Sequence, residues 1–134
     1  MFDREITLFN LHGEKWYTTL FTGVQMNAVS SKNATTHGQN NSDTVEIIIN
    51  MPCEGVSYLG PKAYAALPDP TGYFTFAPES SFVAVGDHTE DNPLDDDDYE
   101  QGLYHELNAM MDEVYMVTSA AYYSLIPHFE IGGR

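Results

Sequence analysis

Apolar and polar residues alternate along much of the chain with the period of two that marks a half-buried strand. From Glu5 to Leu11, Ile6 and Leu8 alternate with Thr7 and Phe9, which predicts a strand. His12-Gly13-Glu14 predicts a turn, and Lys15 to Met26 a longer strand. There Trp16, Thr18, Leu20, Thr22, Val24 and Met26 point one way, and Tyr17, Thr19, Phe21, Gly23 and Gln25 the other. Both faces carry aromatic or aliphatic side chains, so both are expected to be covered. Gly23 is expected to mark a bulge or bend, as glycine inside a strand often does. Thr44 to Met51 gives the clearest alternation, with Val45, Ile47, Ile49 and Met51 on one face and Pro52 as the stop.

Beyond Pro52 the pattern is more broken. Gly60-Pro61 opens a helical turn over Lys62 to Leu67, with proline where its missing N–H matters least. A turn at Pro68 to Gly72 leads into a strand at Tyr73 to Phe76, and Pro78-Glu79-Ser80 turns the chain into another at Ser81 to Gly86. These two strands predict a hairpin. Leu103, Leu107, Met110 and Met111 then fall on one helical stripe, which predicts a helix from Tyr99 to Met111 capped by Asp98. Strands at Glu113 to Ser119 and at His128 to Ile131 follow, the latter ended by Gly132-Gly133-Arg134. The expected fold is mainly β: a small β-barrel or sandwich of about seven strands, with one short α-helix and a helical turn. Residues 1–134 are expected to form a single domain.

Two segments break the alternation. Residues 27–43 are polar and rich in turn formers, and so long a loop in a small domain is usually functional or disordered. They predict an assembly loop, with Lys32, Asn33, His37 and Asn40 as its candidate contacts. Residues 87–98 form an acidic loop. From Asp87 to Glu100 the chain holds eight carboxylates and no Lys or Arg. Asp95, Asp96, Asp97 and Asp98 are the candidates for a negative rim in an oligomer.

Charge sharpens this picture. Five basic residues stand against twenty acidic ones, a net −15. Few cations are available to displace counterions from phosphates, so specific nucleic-acid binding is not expected, and anionic membrane surfaces are disfavoured for the same reason. A basic protein partner, bound metal cations or repulsion of a passing polyanion would each suit the sign, as would simple solubility. No apolar run approaches the ~20 residues that span a bilayer, and no secretion signal is visible at the start. Synthesis in the cytoplasm is the expectation.

Candidate chemistry is sparse. His12, His37, His88, His105 and His128 include no pair at helical metal-ligand spacing, and His105-Glu106 lacks the second histidine of a metalloprotease helix. His105 reads as a solvated residue and His128 as a packed or hydrogen-bonded one. Cys53 is the single cysteine, and its neighbour Glu54 disfavours a thiolate. Asp91, Asp95, Asp97 and Glu100 offer oxygens to calcium, but no window has the glycine and glutamate of an EF-hand loop. No enzyme, cofactor or metal site is expected. An acidic ion-binding module or a small enzyme remains the alternative from outside the structural class.

Four stretches carry a resemblance: Asp3 to Asn10; Tyr17 to Val24; Gly60 to Tyr64 with Tyr73 to Pro78 and Phe82 to Gly86; and the closing His128 to Arg134. Their order and spacing resemble a small, uncharacterised structural family of phages and prophages of Gram-positive bacteria. Its genes lie among those for minor capsid and head–tail joining (head-closure) proteins. Ser80-Ser81 departs from the Gly-Asp turn of that family, and the acidic insert is longer. The resemblance implies a virion protein of head completion that forms a homo-oligomeric ring with portal, adaptor and tail proteins as partners. It also implies a small β-barrel in which residues 27–43 pair with a neighbouring subunit. A tail-completion or other minor capsid protein is the nearest alternative.

Overall fold

A computed structural model describes residues 4–29, 44–50, 56–88, 94–96, 102–111 and 113–134. The elements in chain order are β1 (Arg4–His12), β2 (Lys15–Val29), β3 (Thr44–Asn50), β4 (Ser57–Tyr58), α1 (Pro61–Ala65), β5 (Tyr73–Phe74), β6 (Phe82–Val85), β7 (Leu94–Asp95), α2 (Leu103–Met110), β8 (Val114–Tyr123) and β9 (His128–Gly133). The fold is mainly β. Six antiparallel strands run in the order β1-β6-β8-β9-β3-β2, and β2 returns to β1 to close a barrel. β7 pairs with the start of β2, and β4 pairs with β5 in a small parallel sheet.

The barrel closes because two long strands each serve two neighbours. The first part of β2 pairs with β1 as far as Val24, and Gln25 to Val29 pair with β3. Within the first part, between Phe21 and Val24, one residue of β1, Glu5, faces two of β2, Thr22 and Gly23, and Gly23 sits at φ +65°. This is the bulge expected at that glycine; an extra residue there bends the strand and increases its twist. β8 behaves likewise. Val114 to Met116 pair with β6, Val117 to Tyr123 pair with β9, and the register shifts between Val117 and Ser119.

The alternation of β1 separates two cores. Ile6 and Leu8 point into the barrel with Phe21, Ile47, Phe76 and Phe129. Phe9 points outward with Trp16, Phe82 and Val114, and Leu103 of α2 covers that side. Phe9 and Phe82 stack at 4.5 Å. Both faces of this wall are therefore covered, at a spacing where aromatic pairs add to burial.

Several expectations shift. The segment expected as a loop from residue 27 begins as strand, because Asn27 to Val29 continue the β2–β3 ladder. The hairpin expected from Tyr73–Phe76 and Ser81–Gly86 does not form: β5 pairs with β4, and β6 lies between β1 and β8. The backbone of Thr75 is instead taken by the Asn10 side chain. Of the helix expected from Tyr99 to Met111, Leu103 to Met110 form α2, with Gly102 at φ +91° before its first turn; Tyr99 to Gln101 lie outside the described residues. α1 ends at Ala65, two residues before the expected Leu67. The strand expected to end at Ser119 runs on to Tyr123, and β9 runs through Gly133.

Candidate functional site

The β8–β9 hairpin ends in an exposed apolar tip. β8 reaches Tyr123, residues 124–127 turn, and β9 begins at His128. At this end Leu125 is 94% and Ile126 73% exposed, with Tyr122 and Tyr123 about half exposed. The turn therefore sets two large aliphatic side chains in water, although the residues around them carry no charge from Val114 to Pro127. Contiguous exposed apolar groups of this kind mark interaction surfaces more often than a single exposed leucine does.

His128 fixes the tip to the sheet. Its Nδ1 lies 2.6 Å from the Ile126 carbonyl and its Nε2 2.9 Å from Glu130 Oε2, while its ring stacks on Tyr123 at 5.0 Å. Both neighbours are acceptors, so the geometry favours the protonated ring, which donates from both nitrogens. The Glu130 carboxylate, and then the Ile126 carbonyl, raise its pKa above the usual histidine value. This hydrogen-bonded role matches the reading of His128 from sequence.

Behind the tip, the outer face of β3, β9 and β8 carries a shallow concavity of about 290 Å³. Two cross-strand rows build it. Ser119, Gly132 and Glu46 stand opposite one another in one row, and Ala121, Glu130 and Ile48 in the next. Small residues on β8 and at Gly132 make the floor, and Glu46, Glu130 and Tyr123 rise around it. Its charge is negative.

The other sequence-derived candidates are dispersed. Asp95 lies in β7 opposite Lys15. Asp96 is half-buried, and its Oδ1 accepts from the Trp16 indole N–H at 2.8 Å and from the Leu103 backbone N–H at 2.9 Å. It thus ties β2 to the first turn of α2, where an anionic cap is favoured. Lys32, Asn33, His37 and Asn40, with Asp97, Asp98 and Cys53, lie outside the described residues. His105 is exposed on α2. The hairpin tip escaped the sequence reading. Its signal was an apolar pair, Leu125-Ile126, set between Ser124 and Pro127 where a turn was due.

Among the described residues, no group of three His, Cys, Asp or Glu side chains is placed to hold a metal ion. No helix among them is long and apolar enough to cross a membrane. No curated protein and no solved structure matches the chain. A family model does match, over residues 1–134, and the chain belongs to that family, described as "Family of unknown function (DUF6751)".

Proposed function

We propose that the protein is a non-enzymatic structural protein of a phage virion that acts in head completion and head–tail joining. In this reading it is made in the bacterial host cytoplasm and assembles into a ring at the portal–tail junction. There it meets portal, adaptor and tail proteins. The observation that supports an assembly role is the hairpin tip, where the adjacent Leu125 and Ile126 stand 94% and 73% exposed beside the half-exposed Tyr122 and Tyr123. Burying two such side chains in a partner contributes roughly 1.5–3 kcal/mol each. The placement at the head–tail junction rests on the resemblance of the four sequence stretches.

Deletion of the gene from the phage or prophage that carries it tests this reading. The expected outcome is DNA-filled heads and free tails that fail to join, with the chain found at the junction of intact particles. Normal yields of joined, infective particles would overturn it. A chain found on the capsid surface or at the distal end of the tail would favour a minor capsid or tail-completion protein instead.

A further inference from the structure

Among the described residues, the end of β8 is an open sheet edge. β6 pairs with β8 only at Val114 to Met116, and the segment before β6 adds hydrogen bonds only at Val117. From Thr118 to Tyr123, β8 has β9 on one side and, among the described residues, no strand on the other. Ser119 to Tyr123 are exposed. Edge strands are ordinarily guarded against pairing by lysine, proline or inward-pointing charge. This one is Thr-Ser-Ala-Ala-Tyr-Tyr and has none of these.

We propose that the outer edge of β8 takes an extended basic segment of another protein as an added strand, with a Lys or Arg side chain lying over Ala121 toward Glu130 of β9. Unpaired backbone groups supply sequence-independent affinity in such strand addition, and alternate side chains supply selection. Selection here is electrostatic. A strand laid beside β8 sits ~4.8 Å from it, and its alternate side chains face the acidic concavity. Ala121 stands between the added strand and Glu130 and carries only a methyl group, so the path of a long cationic side chain across it is open.

The occupant follows from charge. A second copy would bring one −15 chain against another and set the acidic faces side by side. A partner segment rich in Lys or Arg meets no such repulsion. The expectation of a protein partner rests on the assembly role proposed above. The binding test below uses purified protein, so it fails or succeeds independently of the deletion experiment.

The probe is a synthetic peptide of alternating Val and Lys, added to the full chain while amide hydrogen exchange is followed by NMR. The expected result is new protection of alternate amides between Thr118 and Tyr123, weakened by salt and absent with a Val–Glu peptide. Ala121→Lys, on an exposed position, should weaken binding by about tenfold. If that variant fails to fold, the comparison of the two peptides on the unaltered chain decides. Lack of protection at millimolar peptide would overturn the proposal, as would equal protection by the Val–Glu peptide. Protection that grows with protein concentration alone would assign the edge to a second copy. Protection by phosphatidylcholine vesicles in place of peptide would assign it to a lipid surface. Either result overturns the basic-segment proposal.

Discussion

Asn10 is where one side chain substitutes for a strand. It is 1% exposed, and its amide pairs with Thr75 as one peptide group pairs with another across a sheet. Nδ2 donates to the Thr75 carbonyl at 2.6 Å, and Oδ1 accepts from the Thr75 N–H at 3.1 Å. Nδ2 also donates to Ser81 Oγ at 2.9 Å, which in turn accepts from the Ala77 N–H at 3.0 Å. One buried amide thus ties the segment from Thr75 to Ser81 to β1, while backbone hydrogen bonds of Glu79 and Ser81 with Val117 tie its far end to β8. Asn10→Ala would leave both Thr75 backbone groups buried without partners, each at roughly 1–3 kcal/mol. The expected loss of stability is about 2–4 kcal/mol, measured by urea unfolding. Asn10→Asp should not restore it, because a carboxylate has no proton to donate to the carbonyl. A loss below about 1 kcal/mol would mean that the packing of Phe74 and Phe76 holds the segment without the amide.

At the scale of the element, the β8–β9 hairpin joins a rigid base to a tip held by a titrating group. The folded pKa of His128 is raised above the ordinary histidine value of 6.5 by Glu130 and then by the Ile126 carbonyl. Its contribution is therefore fully present below pH ~6.5 and is lost as pH rises through the raised value. Raising the pH should shift the ring nitrogens by NMR at a midpoint above 6.5 and then speed amide exchange at the tip. His128→Gln should abolish that pH dependence, and a midpoint at or below the ordinary histidine value would exclude the double hydrogen bond. The strands behind this hairpin were readable where alternation marks a buried face, as in β2, β3 and the start of β9, or where a short run is buried on both faces, as in β1 and β6. The outer half of β8 was not, because Ala120 to Tyr123 are exposed and burial imposes no pattern on them. The pairing of β5 was not readable either. A two-residue strand is placed by tertiary partners, here β4 for β5 and the Asn10 amide for Thr75 just beyond it, rather than by its own periodicity.

At the scale of the whole molecule the main unbalanced quantity is charge. The net −15 is offset by few close pairs among the described residues: Arg4 meets Glu113 at 3.1 Å, and Arg134 lies 3.8 Å from Glu79, all of them substantially exposed. Exposed pairs of this kind contribute about 0–1 kcal/mol, too little to offset self-repulsion across a small barrel. At ~0.01 M salt the screening length is ~30 Å, so like charges act across the entire domain; at ~0.15 M it is ~8 Å. Stability should therefore increase over that range of NaCl. The expected rise in Tm is a few degrees, equivalent to about 1 kcal/mol for a domain of this size. A flat or falling Tm would mean that the acidic groups are dispersed enough not to repel. The same screening bears on assembly. A ring of such subunits in low salt would work against every copy it adds, whereas a basic partner at the β8 edge would lower that repulsion as it binds. Self-association should then strengthen with salt while binding of the Val–Lys peptide weakens. Measuring both by sedimentation across one salt series would separate contacts between copies from contacts with a cationic partner.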